Sequence, residues 1–216
     1  MQNTFVIEVW NDFCVPHCYT GETLLLRAIE DLGLGGRIRI RLRAFELDPG
    51  FPPGETIDVP HCVAKKYGCT LPEALEKIEA AAGMARRAGI DMKFASAIFC
   101  NTRSAHRVLK LAEQDYGDAK ALEVNFAFLA ACFTQNLVLE GETLMAVAAG
   151  AGLPAGRVRT VVTSDEFMGA VLGDEAEAAR RGIFSIPCFD FNGGFLVRGA
   201  LDAGGFRGAL REMLAQ

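Results

Sequence analysis

The sequence predicts an α/β fold in which one large, all-helical insertion separates a β-α-β half from a β-β-α half. The first half is indicated by a short apolar run, a helical pattern and a strictly alternating segment, all within the first 45 residues. Helical periodicity then continues from about residue 60 to residue 182, and strand patterns return only after it. We therefore expect a discontinuous domain, residues 1–59 and 183–216, around a helical insertion domain, residues 60–182.

The β-α-β half begins with a strand at residues 4–10, because this run is short, β-branched and aromatic. Pro16 suits the first turn of the following helix, where its missing N–H has no partner to lose. Apolar residues then recur at helical spacing until Gly33, which ends the helix. A right-handed crossover of this kind places the helix on one face of a parallel sheet.

The alternating segment at residues 36–45 predicts a strand with two different faces. One face is apolar and the other is basic: Ile38, Ile40, Leu42 and Ala44 against Arg37, Arg39, Arg41 and Arg43. The arginines indicate either an anion site or a solvated face that is paired with carboxylates, and we favour the second interpretation.

The insertion follows a loop rich in proline and glycine at residues 49–60. Thr70 and Glu73 have the spacing of a capping box, and Gly89 closes the helix that they open. Two apolar stripes are expected to face the core, formed by Leu75, Ile78, Ala82 and Ala85 and by Leu122, Phe126, Leu129 and Phe133. Further helices are expected at 103–116, 142–151 and 155–163. Another begins after Asp118 as its cap, and a last one, at 165–181, has Ser164 as its cap.

The β-β-α half is predicted from a hairpin pattern near the end of the chain. Two strand-like runs, 188–191 and 195–198, are separated by a segment that begins Asn192-Gly193. Asn-Gly supplies the positive φ angles of a tight hairpin turn. A terminal helix is expected at about 203–215.

The composition excludes several classes of function. The 216 residues carry a formal net charge of -5 and no basic tract, so nucleic acid is not an expected partner. No segment approaches the roughly 20 apolar residues that cross a bilayer, so no membrane association is expected. The beginning of the sequence lacks the basic region and apolar core of a secretory signal, which predicts a cytoplasmic protein.

The seven cysteines do not form a disulfide framework, because their number is odd and their spacing irregular. His61, Cys62 and Cys69 lack a fourth ligand and the spacing of a zinc site, so no metal is expected. Cys14 and Cys18 differ from the rest because they lie at the turn between the first strand and the first helix. A helix N-terminus favours thiolate over thiol, which makes both candidates for a reactive cysteine.

Four segments carry a resemblance to a known family. They are Asp12-Phe13 with Pro16-His17-Cys18-Tyr19 and Gly21; Phe45-Glu46-Leu47-Asp48-Pro49; Asn101-Thr102-Arg103-Ser104-Ala105-His106-Arg107; and Gly182 to Phe189 with Asn192-Gly193 and Arg198-Gly199-Ala200. In this order they resemble the DsbA-like thioredoxin superfamily and its FrnE-like branch. That branch is similar in fold to 2-hydroxychromene-2-carboxylate isomerases and kappa-class glutathione transferases. The resemblance implies a thioredoxin-like fold that contains the helical insertion.

The active-site turn departs from the family pattern by one residue. Aligned without a gap, the first cysteine of the family falls on Val15 and the second on Cys18, while Cys14 lies one position early. Three interpretations follow. Cys14 is the nucleophile and Cys18 resolves its mixed disulfide; or Cys18 acts alone with His17 beside it; or the site has been lost and both cysteines pack as ordinary residues.

The resemblance also implies the remaining site residues. His17 would tune the thiolate, and Pro187, joined to Ile186 by a cis bond opposite the cysteines, would help to present the substrate. Pro16 and Ile186 would also bind it. Asn101 would line a pocket, whereas His106 on the same segment is interpreted as structural. Cys188 is either a third thiol of the site or an inward strand residue, and we favour the strand residue.

Three functions are consistent with these residues. The first is a thiol–disulfide oxidoreductase that uses Cys14, Cys18 and His17 on a thiol or disulfide of a protein, peptide or glutathione. The second is a glutathione-dependent isomerase or transferase, in which relatives place a serine where Val15 stands. The third is a redox-inactive protein that binds a peptide or small molecule. No cofactor is expected unless glutathione acts as substrate or co-substrate, and a homodimer is left open.

Overall fold

The computed structural model describes residues 4–216, so residues 1–3 of the predicted first domain lie outside it. Its strands and helices, in chain order, are β1 (Phe5–Asn11), α1 (Pro16–Asp31), β2 (Ile38–Ala44), β3 (Ile57–Asp58), α2 (Val59–Tyr67), α3 (Leu71–Arg87), a short 3-10 helix (Phe94–Ser96), β4 (Ile98–Phe99), α4 (Arg103–Tyr116), α5 (Asp118–Phe133), α6 (Gly141–Gly150), α7 (Ala155–Val162), α8 (Met168–Arg180), β5 (Cys188–Phe191), β6 (Phe195–Arg198) and α9 (Ala203–Leu214).

The main sheet has four strands in the order β2-β1-β5-β6. β1 and β2 are parallel, as a β-α-β unit requires, and β5 runs antiparallel to both β1 and β6. The hairpin turn has positive φ at Asn192 and Gly193, as its sequence predicts. The predicted combination of a β-α-β half, a helical insertion and a β-β-α half is therefore confirmed.

Helix α1 begins where the sequence predicts, and its start positions the candidate site. Val15 is the N-cap with extended backbone, and Pro16 occupies the first helical turn. The helix ends at Asp31, and Gly33 beyond it takes the positive φ of 65° that allows the chain to turn. Because β1 leads directly into this turn, the first residues of α1 are held against the end of a central strand.

The basic face of β2 is paired with carboxylates, which is the favoured interpretation of its arginines. Arg39 Nε lies 3.0 Å from an Asp118 carboxylate oxygen, and Arg43 Nη1 lies 2.9 Å from Asp174. Asp118 is therefore an ion-pair partner of β2. The prediction that it caps α5 is wrong, because Gly117 is the N-cap and Asp118 is the first helical residue.

The insertion differs from its prediction in three details. β3 and β4 form a two-stranded ladder that is too short to leave a period of two in the sequence. Leu75 is 46% exposed, whereas Ile78, Ala82 and Ala85 are buried as predicted and Ala74 takes the inward position beside them. Helix α8 begins at Met168, and Ser164 caps only the preceding turn, where its hydroxyl accepts from the Glu166 N–H.

One hydrophobic cluster runs through both halves and the insertion. It joins Val9 and Leu42 of the sheet to Phe128 of α5 and Val108 of α4. Helices α5 and α8 pack on β2, so the insertion lies against the sheet. Over residues 4–216, none of the helices combines the length and the apolar character needed to cross a bilayer.

Candidate active site

The turn between β1 and α1 holds both candidate cysteines at different depths. The Val15 N–H donates to the Asp12 carbonyl, and the Cys18 N–H donates to the Val15 carbonyl, at 3.4 and 3.0 Å. Cys14 is partly exposed in this turn, whereas Cys18 lies in the first turn of α1 and is fully buried. Only Cys14 can therefore meet a molecule from solvent without a rearrangement of the helix.

Asp12 is the centre of the hydrogen bonds around the turn. Its Oδ1 accepts from the Phe13 N–H at 2.7 Å and contacts His106 Nε2 at 3.2 Å. Its Oδ2 accepts from the Leu47 N–H at 2.7 Å and from the Cys14 thiol at 3.0 Å. The carboxylate thus connects the turn, the segment after β2 and helix α4.

Burial of Asp12 raises its pKa, but the hydrogen bonds from His106, Leu47 and Cys14 together with the charge of His106 lower it further, so its pKa lies below the usual value. Asp12 is therefore a carboxylate, and His106 Nε2 carries the proton of their hydrogen bond. The imidazole of His106 is fully buried and packs against the Phe13 ring at 4.8 Å between centroids. Its Nδ1 has no hydrogen-bond partner among residues 4–216.

The thiols of both cysteines are protonated in this environment. Burial and then the charge of Asp12 raise the pKa of Cys14 well above its ordinary value. Burial and the charge of Glu22 do the same to the pKa of Cys18. These effects outweigh the helix N-terminus that the sequence places beside the two cysteines. The charges of Cys18 and Cys132 raise the pKa of Cys14 further.

Glu22 lies one helical turn beyond Cys18 and is completely enclosed. Its carboxyl oxygens accept from Asn11 Nδ2 at 3.0 Å and from Asn125 Nδ2 at 2.5 Å. Burial raises its pKa to about 8, although both amides lower it. The interior behind Cys18 therefore holds an ionisable group that titrates near neutral pH.

His17 does not supply the positive charge that the resemblance implies. Its side chain is half-buried, and burial lowers its pKa below the usual value. The neutral imidazole is therefore favoured at neutral pH, and a neutral ring provides little stabilisation for a nearby thiolate.

Cys14 opens into a cleft of about 350 Å³, which we call the Cys14 cleft. Its sides are the turn between β1 and α1, the segment after β2, helices α2 and α3 of the insertion, and the loop before β5. The lining residues are Asp12, Cys14, Val15, Pro16, His17, Leu47, Asp48, Phe51, Ile57, Cys62, Val63, Lys66, Tyr67, Lys77, Ile78, Ala81, Phe94, Phe99, Cys100, Thr102, Phe184, Ser185 and Ile186.

Four of the site residues predicted from sequence line this cleft: Cys14, Pro16, His17 and Ile186. Cys18, Asn101 and Pro187 are not among the lining residues. The Ile186–Pro187 peptide bond is cis, and the Pro187 carbonyl accepts from the Gly199 N–H at 2.8 Å. Asn101 is buried and uses both polar groups within the protein, since Nδ2 donates to the Phe51 carbonyl and Oδ1 accepts from the Arg103 N–H.

Of the remaining cysteines, Cys188 matches the favoured sequence interpretation, and two others lie unexpectedly at the cleft. Cys188 is an inward strand residue, completely buried and paired with Trp10 across β1 and β5. Cys62 and Cys100 line the Cys14 cleft instead. Within the part of the chain that the structure describes, no three or more histidine, cysteine or acidic side chains are grouped to hold a metal ion.

Sequence reasoning missed the residues that the insertion contributes to the cleft. Lys66, Tyr67 and Lys77 come from α2 and α3, whereas Cys14 lies some fifty residues earlier. The one sequence signal was that these residues lie away from the apolar faces of their helices, where exposed side chains are expected. Their approach to Cys14 depends on how the insertion packs, which no local pattern records.

Comparisons with known proteins agree with this architecture. A model of the DSBA-like thioredoxin domain matches residues 6–211. A probable DsbA oxidoreductase from Streptomyces coelicolor superposes with a TM-score of 0.92 at 27% identity, covering 98% of this chain and 91% of that chain. Comparison with curated proteins gives no match.

Two other solved structures are similar in fold at lower identity. A 2-hydroxychromene-2-carboxylate isomerase gives a TM-score of 0.69 at 17% identity, covering 98% of this chain and 97% of that chain. The cytosolic disulfide reductase DsbM from Pseudomonas aeruginosa, solved with GSH, gives a TM-score of 0.62 at 17% identity, covering 98% of this chain and 100% of that chain.

Proposed function

The chain belongs to the family of DSBA-like thioredoxin domains, and we propose that it catalyses thiol–disulfide exchange through Cys14. The observation that supports this proposal is the position of Cys14 in a cleft that also contains Ile186 of the cis-proline loop. Cys18 lies four residues further on, in the first turn of α1, where it is buried. A partly exposed thiol followed by a buried thiol in the same turn is the combination that exchange with an internal resolving step needs.

The proposed reaction transfers one disulfide bond. The Cys14 thiolate attacks one sulfur of a substrate disulfide, forms a mixed disulfide and releases the first substrate thiol. Cys18 then attacks the Cys14 sulfur, and the second substrate thiol leaves as the Cys14–Cys18 disulfide forms. The two protons lost by the cysteines are gained by the two substrate thiols. The reverse sequence oxidises two substrate thiols, so the same residues serve either direction.

In the proposed reaction, Asp12 determines how readily the Cys14 thiol loses its proton. The Cys14 thiol donates its hydrogen bond to a carboxylate whose pKa is lowered, so that carboxylate is a weak proton acceptor. Exchange should therefore be slow at neutral pH and should become faster as the pH rises towards the raised pKa of Cys14.

We propose glutathione as the small thiol that reduces the Cys14–Cys18 disulfide, two glutathione molecules giving one glutathione disulfide. Val15 lines the cleft at the position where related glutathione-dependent enzymes have a serine, and its side chain has no donor for a sulfur. This favours exchange at cysteine over a glutathione-dependent isomerase. A cytoplasmic location remains a prediction that accompanies this proposal, and a homodimer stays open.

Single cysteine variants test the function. In a disulfide-reduction assay with an aromatic disulfide, Cys14→Ser should abolish the reaction. Cys18→Ser should still form the mixed disulfide, which mass spectrometry would detect, but should not turn over. Cys62→Ser is the matched control because Cys62 lines the same cleft away from the turn. Wild-type rates in both Cys14→Ser and Cys18→Ser would refute the proposal.

A further inference from the structure

We infer that the Cys14 cleft binds a small apolar molecule that carries a carboxylate or a similar anionic group. Its apolar body would lie against the cleft walls beside Cys14, and its anion would be held by Lys66 and Lys77. This inference rests on the proposed function in one respect only: it names the substrate class of the same site. Binding itself requires no thiol chemistry.

The size of the cleft suits a small molecule. A volume of about 350 Å³ lies at the lower end of ligand pockets, which hold compounds of up to drug size. The lining is mostly apolar, with aromatic rings from Phe51 in the loop after β2 and from Phe94 and Phe99 of the insertion. An aromatic or aliphatic body suits such walls, because it brings no backbone N–H or C=O group that would need a hydrogen-bond partner.

The acidic and the basic residues of the cleft differ in the contacts that they make within the protein. Asp12 accepts four hydrogen bonds, and Asp48 Oδ1 accepts one from the Gly50 N–H at 3.2 Å. The two lysines of the cleft make no ion pair with a carboxylate of residues 4–216. Their ammonium groups are therefore available to bind an anionic partner.

The two lysines also lie at one place on the rim. Lys66 Nζ and Lys77 Nζ are 5.8 and 5.4 Å from the centroid of the Tyr67 ring. Glu73, one turn before Lys77 on α3, is used by the helix cap, where it accepts from the Thr70 N–H and hydroxyl. Two like charges around one exposed ring repel each other, and an anion between them would relieve that repulsion.

Calorimetry with naphthoate and its neutral amide tests the inference on the reduced protein. Naphthoate should bind at one site, and naphthamide should bind more weakly. In the double variant Lys66→Met, Lys77→Met, the affinity for naphthoate should fall about tenfold, because exposed ion pairs contribute at most about fivefold each. The affinity for naphthamide should not change. Higher salt should weaken the binding of naphthoate only.

Lys65→Met is the matched control, because Lys65 is the neighbour of Lys66 on α2 but does not line the cleft. It should bind naphthoate as the wild type does. Failure of either compound to bind, equal binding of acid and amide, or an equal loss in Lys65→Met would overturn the inference.

A second measurement separates this inference from the proposed function. The rate of disulfide exchange is compared for dithiobis(nitrobenzoate), which carries carboxylates, and for neutral dithiodipyridine. The double lysine variant should slow the first reaction about tenfold relative to the second. Selective naphthoate binding without any exchange would refute the proposed function alone. If the double lysine variant left the ratio of the two exchange rates unchanged, a small acid would be refuted as the substrate class.

Discussion

Asp12 decides the chemical state of Cys14 more than the helix that follows it. The thiol donates to this carboxylate at 3.0 Å, and the neighbouring negative charge opposes the formation of a thiolate. The carboxylate is itself kept ionised by donors from Leu47 and His106. Such a site keeps its cysteine as a thiol until a bound substrate, or a change in this hydrogen bond, shifts the equilibrium between thiol and thiolate.

Asp12→Asn should therefore make Cys14 more reactive. The substitution removes the charge and the acceptor that raise the pKa of the thiol, while burial continues to raise it. Alkylation of Cys14 by iodoacetamide at neutral pH should become faster, and stability should fall by about 1–3 kcal/mol because the Leu47 and His106 donors lose an ionic acceptor. Asp48→Asn, which changes an acid of the same cleft, is the control. Slower alkylation in Asp12→Asn would contradict this account.

Glu22 should make stability depend on pH. Its pKa is about 8 in the folded protein, above the ordinary value of 4.5, because burial opposes ionisation. The folded state then binds more protons than the unfolded state between these two values, so stability falls as pH rises through that window. The slope should approach roughly 1.4 kcal/mol per pH unit.

Urea unfolding of Glu22→Gln over the same pH range measures this contribution. The wild type should lose stability from about pH 4.5 to pH 8, and the variant should show a much flatter profile. Asn11 Oδ1, which has no hydrogen-bond partner among residues 4–216, offers an acceptor for the introduced amide. Parallel profiles for the two proteins would show that Glu22 is not the titrating group.

The sequence was sufficient to place Cys14 at a strand-to-helix turn but not to describe its environment. The donors that fix Asp12 come from 35 and 94 residues away, at Leu47 and His106. Long-range contacts of this kind depend on the packing of α4 against the turn. The sequence expectation of an activated thiol considered only the helix N-terminus, which is local, and omitted burial and Asp12, which dominate.

Elements with a strong local signal were predicted well, and those set by packing were not. β2 alternates strictly and α1 is bounded by Pro16 and Gly33, so both match their predicted positions. On α3 the predicted core face is right at Ile78, Ala82 and Ala85 but wrong at Leu75, because small alanines take the remaining inward positions. Phe126 is likewise only partly buried, and Val124 and Phe128 take the innermost positions of α5.

The start of α1 allows a test of whether the N-terminus of this helix activates a cysteine placed at its N-cap. Val15 is the N-cap of α1 and lines the Cys14 cleft, so a thiol at this position would lie beside the free N–H groups of the first helical turn. We expect Val15→Cys combined with Cys14→Ser to give a thiol of lower pKa than Cys14 has. Disulfide exchange at neutral pH should be at least about tenfold faster than in the wild type.

Cys14→Ser alone is the matched control for that variant, because it differs only at the N-cap. Its activity should be abolished, so any exchange in the double variant comes from the new position. If the double variant were no faster than the wild type, the N-terminus of α1 would not be what limits reactivity in this turn.

At the scale of the molecule, the insertion is connected to the site by buried polar contacts. His106 of α4 contacts Asp12, and Arg103 at the start of α4 contacts the Glu46 carboxylate at 2.8 Å. Asp174 of α8 accepts from Arg43 and from the Ala44 N–H of β2, both at 2.9 Å. Three of the four family segments therefore contact one another, through Asp12–Leu47, Asp12–His106 and Glu46–Arg103, and the cleft exists only with the walls that the insertion contributes.

These contacts predict that both parts unfold together although the chain divides into two predicted domains. Trp10 is the single tryptophan, lies in β1, and donates from Nε1 to the Asp174 carbonyl at 3.2 Å. Its fluorescence reports the sheet, whereas far-UV circular dichroism reports mainly the insertion helices. The two urea transitions should coincide, because one hydrophobic cluster passes through both parts.

Asp174→Asn makes this prediction sharper. Asp174 is buried, and its carboxylate meets Arg43 and also Lys110 at 2.7 Å, so its loss removes one carboxylate from each cation while Glu8 and Glu113 remain. Stability should fall by about 1–3 kcal/mol, because the Ala44 N–H and both cations lose a charged, buried acceptor. Both transitions should shift by the same amount, since the contact joins α8 and α4 to β2. Asp91→Asn, an exposed acid on the insertion, should shift neither. A shift confined to the helical signal would mean that the insertion unfolds independently, and the cleft would then open and close with it.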